Sequence, residues 1–345
     1  IETPTNGTLN LGGNITSSVD TSLIKIDSGT LGLGGTNAIS SWDLNGGTTT
    51  ITGSTTINGT GGSRVYVGDG DYLNKCDGKL ILQPGAALNV IGNYGDSFVI
   101  GRDGGSGTVV QNGGTFTFNC NQQDLWVGAT GNSATHSEYD MSGGVFDMTG
   151  NTLGIGLGNG VLVTGLVNQV SGVITNVGNL WVGWGNGRGV YTISGGSIYI
   201  GATGITTTSG NYAVNLGGGT VGAYANWASS LNMNLTGSNG PVTFDTAANT
   251  ITLSGQLSGN GGLTKAGSGT LEYSVANTYT GPTTVTTGTL QLDVGGTSSS
   301  VLHLANGAML NLNYSGTRVV PGLYTNGVAL PVGTYTSSNL GGFIT

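Results

Sequence analysis

The feature that most constrains the fold is a four-residue segment that recurs five times in the middle of the chain. Each copy has an apolar residue, a variable residue, a second apolar residue and then glycine. The copies occupy residues 65–68, 98–101, 125–128, 153–156 and 180–183, at intervals of 33, 27, 28 and 27 residues. A repeat of this length indicates structural units that stack on one another. Because alternate residues of a strand share a face, we predict that both apolar positions point inward and stack on their counterparts one repeat away.

Two further strand-like segments follow most copies of this pattern, each after a turn. The second segments include residues 109–110 and 190–193, and the third segments are residues 115–118, 145–148, 173–176 and 197–200. A repeat of this kind, with three short strands and three corners, predicts an all-β chain that forms a parallel β-helix, or β-solenoid. The glycine after each first strand is expected to supply the positive φ of a sharp corner.

The composition supports a solenoid and excludes several other classes. The chain has 69 glycines and only six prolines in 345 residues, without a three-residue glycine period, which excludes collagen. Only 7% of the residues are charged, whereas 36% are hydrophobic, enough to fill a long and thin core. The outer surface must then depend on ladders of Thr, Ser and Asn.

The charge balance and the hydropathy limit which partners and which location are expected. Sixteen acidic residues against eight basic ones give a net charge of −8, and no cluster of Lys or Arg is present, so nucleic acid is not an expected partner. The sequence contains no run of eighteen apolar residues and predicts no membrane span. It begins at Ile1 without a signal-type segment, which we interpret as a processed chain or an excised piece.

A second informative stretch is residues 254–293, where short β-favouring runs alternate with glycine turns. Within it, GGLTKAGSGTLEYSVANTYTGPTTVTTGTLQL resembles the passenger-associated repeat of autotransporters and other large secreted bacterial proteins. The resemblance implies a right-handed parallel β-helix and a location outside the cell or on the bacterial surface. The stretch departs from the plainer family pattern at Glu272-Tyr273 and at Ser274-Val275, which suggests a modified outer face at this position. Residues 309–335 also resemble the usual end of such proteins.

These patterns divide the chain into three segments. We expect irregular rungs and an extended end segment in residues 1–60, regular repeats in 61–204, and passenger-repeat-like rungs with the C-terminal end in 205–345. A solenoid end exposes unpaired strand edges. The extended start at Ile1 to Pro4 is therefore interpreted either as a strap across that end or as a segment that pairs with another molecule.

The variable position of the recurring segment carries large rings. It holds Tyr66, Val99, Trp126, Gly154 and Trp181, and Trp184 follows one corner. Three interpretations are open: the rings lie against a neighbouring rung, they pack against another protein, or they form a platform for sugar rings. The candidate binding residues are Tyr66, Trp126, Trp181 and Trp184.

Parallel β-helices also include polysaccharide lyases and hydrolases, so charged groups were considered as catalytic candidates. One set is Asp69, Asp71, Asp77, Arg102 and Asp103, and the other is His136, Glu138 and Asp140. We expect Asp69 and Arg102 to form a surface ion pair between rungs and the second set to lie in a solvated loop. No metal site, cofactor or enzymatic activity is predicted, since Asp69-Gly70-Asp71 lacks a third ligand at Leu73 and the two histidines are far apart in sequence.

The two cysteines, Cys76 and Cys120, permit either one disulfide or two buried thiols. The sequence thus predicts a non-catalytic extracellular structural β-solenoid, a surface protein or one that assembles head to tail into a filament. The expected partners are further copies of the chain, a glycan or another cell-surface molecule. The alternatives are a glycan-binding adhesin domain with an exposed aromatic face and a polysaccharide lyase or hydrolase.

Overall fold

A computed structural model describes residues 6–17, 22–58, 64–70, 76–92, 98–121, 123–129, 136–159, 162–208 and 210–345. These residues form strands, turns and bends without an α-helix. They divide into two compact units, the first made of Ile1–Thr192 with Thr207–Tyr212 and the second of Ile193–Thr206 with Ala213–Thr345. The three segments predicted from the sequence stay a prediction.

Twenty short strands cover the chain as far as residue 193. They are β1 (Thr8–Leu11), β2 (Ser22–Lys25), β3 (Thr30–Leu33), β4 (Thr36–Ile39), β5 (Ser41–Leu44), β6 (Gly47–Ile51), β7 (Ser54–Asn58), β8 (Val65–Asp69), β9 (Asp77–Leu82), β10 (Ala87–Gly92), β11 (Phe98–Arg102), β12 (Ser106–Gln111), β13 (Thr115–Cys120), β14 (Asp124–Val127), β15 (His136–Met141), β16 (Val145–Asp147), β17 (Thr152–Gly158), β18 (Thr164–Gln169), β19 (Val173–Gly185) and β20 (Arg188–Ile193).

These strands stack into three parallel faces. Face 1 contains β2, β5, β8, β11, β14, β17 and residues 179–185 of β19. Face 2 contains β1, β3, β6, β9, β12, β15, β18 and β20. Face 3 contains β4, β7, β10, β13, β16 and residues 173–175 of β19. From β2 onward each circuit adds one strand to each face, which confirms a parallel β-helix with three short strands per rung.

The predicted inward columns are confirmed on face 1. Phe98 lies in register with Val65 and with Leu125, and Leu153 lies in register with Leu125 and with Leu180. All five side chains are buried. Like residues therefore stack along the coil over five successive rungs, as the sequence period requires.

The corner glycines also behave as predicted. The glycine after each of these strands has positive φ, with values of 79° at Gly68, 71° at Gly101, 76° at Gly128, 73° at Gly156 and 79° at Gly183. Residues with a Cβ rarely adopt this conformation, so glycine is strongly favoured where the chain turns from face 1 toward face 2 at these positions.

The rungs nearest the N-terminus are irregular inside, with polar groups among the apolar ones. Asn37 and Thr55 are buried on face 3, and the Asn37 amide nitrogen donates a hydrogen bond to the Thr55 hydroxyl at 3.2 Å. Strand β1 is mostly exposed and pairs with β3. The predicted strap or pairing segment at Ile1 to Pro4 lies outside the described residues.

The second unit contains most of eighteen further strands, and its parallel pairs again form three faces. They are β21 (Ser197–Thr208), β22 (Asn211–Leu216), β23 (Thr220–Ala223), β24 (Trp227–Ser229), β25 (Met233–Leu235), β26 (Val242–Asp245), β27 (Thr250–Leu253), β28 (Leu257–Ser258), β29 (Leu263–Ala266), β30 (Thr270–Tyr273), β31 (Thr283–Val285), β32 (Gly288–Leu292), β33 (Gly296–Thr297), β34 (Leu302–Leu304), β35 (Ala308–Leu312), β36 (Arg318–Val319), β37 (Leu323–Thr325) and β38 (Val328–Ala329).

A polar ladder runs along the outer side of one face of this unit. Thr220, Thr243, Thr264 and Thr284 lie on four strands in register, all half-buried. The ladder agrees with the expectation that hydroxyl groups, rather than charges, cover the outer surface.

The C-terminal end of the second unit is covered by the chain itself. Strand β38 folds back antiparallel on β37, the one antiparallel pair among the described strands. The tail runs beside β35, where the Leu310 amide donates to the Phe343 carbonyl at 2.6 Å and the Thr345 amide donates to the Leu310 carbonyl at 2.9 Å. The edges of β35 and β37 are therefore occupied.

A second set of essential glycines was not anticipated from the sequence. Gly78, Gly107 and Gly165 each lie near the start of a face 2 strand, and a Cβ on any of them would lie 1.9 Å from a backbone carbonyl oxygen of face 1. Ser137 stands in register with Gly165 and is buried, and its hydroxyl has no hydrogen-bond partner among the described residues.

These contacts predict that Gly165→Ala destabilises the first unit by about 2 kcal/mol or more, because the new Cβ would overlap the Val127 carbonyl oxygen. The matched variant Ser137→Gly, which removes an unpartnered buried hydroxyl, is expected to change stability by less than about 1 kcal/mol. Urea unfolding followed by circular dichroism measures both. Equal stability of Gly165→Ala and the native chain would contradict the close approach of faces 1 and 2.

Candidate functional site

The outer side of face 1 holds the aromatic residues proposed as a binding face. Tyr66 and Trp126 are only 6% and 5% exposed, and with Val99 and Ala129 they form a hydrophobic cluster outside the main core. Tyr66 and Trp126 are therefore not open to solvent as the sugar-platform interpretation requires. The first interpretation, in which the rings lie against neighbouring rungs, is the one that the structure supports.

The other two aromatic candidates are half-buried. Trp181 packs against the Tyr66–Trp126 cluster, and Trp184 lies in register with Leu157, beyond the corner at Gly183. A role of these four residues in binding stays a prediction.

Gly154 explains how Trp126 is accommodated. Trp126 and Gly154 are register partners on adjacent strands, and a Cβ on Gly154 would lie 2.3 Å from the Trp126 ring. The indole therefore lies over the glycine of the next rung, with its ring centroid 5.8 Å from that of Trp181. An indole is wider than the strand spacing of about 4.8 Å, so the rung beside it needs a residue without a side chain.

An ion pair lies at the C-terminal ends of β8 and β11, on the same outer side of face 1. Asp69 and Arg102 are in register, as expected, and the Arg102 Nη1 atom lies 3.5 Å from the Asp69 carboxylate. Arg102 also contacts the Asp103 carboxylate at 3.0 Å and places its guanidinium 4.8 Å from the centroid of the Tyr66 ring. Since Asp69 is buried, this ion pair is part of the packing of face 1 rather than a solvated surface pair.

Asp43 continues the same outer column one rung toward the N-terminus, in register with Tyr66. The pKa of the Asp43 carboxyl is raised to about 6, first by burial and then by the negative charge of Asp69, while Arg64 and Arg102 act in the opposite direction. Sequence reasoning did not single out Asp43. Asp43 lies one rung before the first recurring segment, in register with Tyr66, and this position in the repeat could have identified it.

The second set of catalytic candidates lies on a strand, so the prediction of a solvated loop is wrong. His136, Glu138 and Asp140 alternate along β15 with buried residues and face outward on face 2. The alternation of polar and apolar residues over 136–141 already indicated a strand with one outward side. The Asn168 amide nitrogen of the adjacent strand donates to Glu138 Oε1 at 2.6 Å and to Asp140 Oδ1 at 3.0 Å.

Glu138 and Asp140 interact directly. Burial raises the pKa of the Glu138 carboxyl, and the charge of Asp140 and a hydrogen bond to it raise that pKa further, while His136 and Asn168 oppose the shift. A carboxyl with a raised pKa beside a second carboxylate is a feature that glycosidases use. The Glu138–Asp140 pair lies on face 2 and the Asp69–Arg102 pair on face 1, so the structure does not join them in one cleft.

The remaining candidates are placed as follows. Asp77 begins β9 and is exposed, and Asp71 lies outside the described residues. Cys76 and Cys120 are both buried and are not joined to each other, so of the two alternatives the structure has the thiols and not the disulfide. In the described ranges, no group of three or more His, Cys, Asp and Glu residues could hold a metal ion. No helix in these ranges is long and apolar enough to span a bilayer.

The departure from the family pattern at Glu272 and Tyr273 also has a structural meaning. Tyr273 points inward and is buried, whereas Glu272 lies outside and accepts a hydrogen bond from the Thr252 hydroxyl at 3.0 Å. Its pKa is raised by a hydrogen bond with Asp293 and by burial, in that order. The outer face is therefore modified here, as expected, by a carboxylate that joins three neighbouring rungs.

The packing of the rings predicts that Trp126→Ala lowers the free energy of unfolding by about 3 kcal/mol, since a large buried side chain is removed. Leu162→Ala, at a residue that is 59% exposed, is a matched control and should have little effect. Thermal and urea unfolding of both variants measure the difference. Native stability of Trp126→Ala would contradict the burial of this ring.

Asp43 predicts a pH dependence of stability. The folded-state pKa of about 6 lies above the ordinary value of 3.8, so the folded state binds the proton more tightly, and stability falls as pH rises from about 4 to about 6. Asp43→Asn should therefore be more stable than the native chain at pH 7.5, by about 1 to 2 kcal/mol, and equally stable near pH 4. The exposed Asp77→Asn is the control, and urea unfolding at both pH values is the measurement. A difference for Asp43→Asn that does not change with pH would refute the assignment.

Comparison with known proteins agrees with this architecture. Residues 263–292 match the passenger-associated-transport-repeat family. A segment of 72 residues is 43% identical to the adhesin BmaC autotransporter of Brucella suis biovar 1 (strain 1330), and this segment covers 20% of the chain and 2% of that protein. The matched segment is thus a small part of this much longer relative. A search of solved structures gives no match.

The repeat, the related autotransporter and the stacked rungs agree with the family and the location that the sequence resemblance implied. The chain is therefore a secreted, surface-exposed β-helix protein that carries the autotransporter passenger-associated repeat.

Proposed function

We propose that the chain is a rigid, non-catalytic structural segment of an extracellular surface protein of the adhesin kind. The observation that carries this proposal is the continuous register of like residues through each unit. Each rung is held by backbone hydrogen bonds and by side chains stacked on the next rung, an arrangement that resists extension and proteolysis and suits a stalk or spacer. The related autotransporter, named as an adhesin, supports the surface role.

The outer surface supports a structural role over a sugar-stacking one. A platform for sugar rings needs aromatic faces open to solvent, whereas Tyr66 and Trp126 are covered and Trp181 packs against their cluster. Adhesion remains the second candidate because of the relative's name, with Trp181 and Trp184 as the half-exposed aromatic residues of face 1.

The filament expected from the sequence and the enzyme considered as an alternative have less support. A head-to-tail filament needs a free strand edge at both ends, but β38 and the tail beside β35 occupy C-terminal edges. Glu138 and Asp140 are the best placed pair for catalysis, but Asn168 of the adjacent strand already donates a hydrogen bond to each of their carboxylates.

A deletion of one whole rung tests the structural role. Removing residues 125–152 joins Asp124 to Leu153. In the native chain Leu125 stacks on Phe98 and Leu153 stacks on Leu125, so Leu153 can take the place of Leu125 after the deletion. Since rungs contact mainly their neighbours, we expect the shortened chain to fold, to keep its strand content by circular dichroism and to resist trypsin and proteinase K. A deletion of 14 residues, 125–138, shifts the register by half a rung and is the control that should not fold. Unfolding of both deletions would argue against modular rungs.

Activity assays on the intact chain test the alternatives. We expect no release of reducing or unsaturated ends from acidic polysaccharides and no glycan-array binding that depends on face 1. Polysaccharide cleavage abolished by Glu138→Gln would establish an enzyme. Glycan binding abolished by Trp181→Ala or Trp184→Ala, in a variant with native stability, would establish the adhesin alternative.

A further inference from the structure

Lys25, in the first unit, is fully buried at the end of β2 and donates three hydrogen bonds to backbone carbonyl oxygens. Its ammonium nitrogen lies 2.7 Å from the Ile26 oxygen, 2.7 Å from the Asp27 oxygen and 3.1 Å from the Gly46 oxygen. A lysine ammonium has three N–H donors, so all of them are used. This is the condition under which a charged group can be buried without a prohibitive cost.

Lys265, in the second unit, has the same surroundings. It is fully buried on β29, and its nitrogen lies 2.8 Å from the Ala266 oxygen, 2.7 Å from the Gly267 oxygen and 3.1 Å from the Thr287 oxygen. Burial lowers its pKa to about 8, and the charge of Asp245 opposes that shift, so the group stays protonated at neutral pH.

The two sites also share their backbone and sequence. The second residue after each lysine has positive φ, 75° at Asp27 and 78° at Gly267. The segments KIDSGTL at 25–31 and KAGSGTL at 265–271 have Lys, Ser, Gly, Thr and Leu at the same positions. Each lysine carbonyl accepts a hydrogen bond from the next rung, from the Asn45 amide at 2.8 Å and from the Thr286 amide at 2.9 Å.

Each lysine connects two rungs in the same way. Two of its carbonyl partners belong to its own corner, and the third belongs to the corner of the following rung. Lys25 is in register with Leu44, and its third partner, Gly46, lies two residues after Leu44. In the same way Lys265 is in register with Val285, and its third partner, Thr287, lies two residues after Val285. One ammonium therefore fixes two successive corners at their separation of about one strand spacing.

We propose that residues 23–33 form a second corner segment of the passenger-associated type, and that Lys25 and Lys265 are buried clamps that lock successive corners together in their respective units. The family match covers residues 263–292 and leaves the first segment unassigned. The assignment depends on the hydrogen bonds and register of the two lysines, and it holds whether or not the chain has the structural surface role proposed above.

Substitution of each lysine by methionine tests the clamp. Methionine keeps an apolar stem of similar length but leaves three corner carbonyl groups without their donor. We expect Lys25→Met to accelerate hydrogen exchange of the Asn45 and Thr48 amides by at least about tenfold. Lys265→Met should do the same for the Thr286 and Thr289 amides, with little effect in the other unit.

The exposed Lys79 of β9 provides the matched control, since Lys79→Met removes a charge without removing a corner contact. If a methionine variant does not fold, acylation of native lysines at pH 8 followed by mass spectrometry replaces the exchange experiment. Lys79 should react at least about tenfold faster than Lys25 and Lys265, and all three should react alike in urea. Exchange in Lys25→Met equal to that in Lys79→Met, or equal acylation of Lys25 and Lys79 in the native chain, would overturn the proposal.

Discussion

The parallel hydrogen-bond ladder is the constraint on which the rest of the structure depends. It sets each rung about 4.8 Å from the next and places equivalent residues directly above one another. A side chain is therefore never packed alone, because the residue one period away is always its neighbour. Inside the coil this favours columns of similar apolar groups, such as the one from Val65 to Leu180. Outside it, a wide ring such as Trp126 requires a small partner, and Gly154 provides one.

The corners are where this architecture has to satisfy its backbone polar groups. Strand groups pair along the coil, but the carbonyls of a turn can point toward the interior, where water is excluded. Buried polar side chains answer this need in several places. Lys25 and Lys265 donate to the carbonyls of corners that follow their own strands. Gln111 lies between faces 2 and 3, and its amide nitrogen donates to the Val145 carbonyl at 3.0 Å. Tyr139 in turn donates to the Gln111 side-chain oxygen.

The fold could be predicted from the sequence because period and alternation are local in the sequence and decide the register. The same information gives the direction of a side chain but not what covers it, so the burial of Tyr66 and Trp126 could not be derived. The errors had different origins. The alternation over His136 to Met141 was readable and indicated a strand. The bridge from Asn168 to Glu138 and Asp140, however, joins residues about one rung apart, and pattern reasoning within a segment does not reach it.

The ladder also accounts for the small number of charged residues in the chain. Like charges one strand spacing apart repel by about 1 kcal/mol in water and by roughly 3 to 4 kcal/mol in a partly buried setting, so a column of carboxylates would weaken every rung it crosses. Hydroxyl and amide side chains stack without this penalty, which explains the threonine ladder of the second unit. Where carboxylates do meet, the pKa of the glutamate is raised, by burial and the neighbouring charge of Asp140 at Glu138, and by a hydrogen bond with Asp293 and burial at Glu272. A charge content of 7% is consistent with this constraint of parallel stacking.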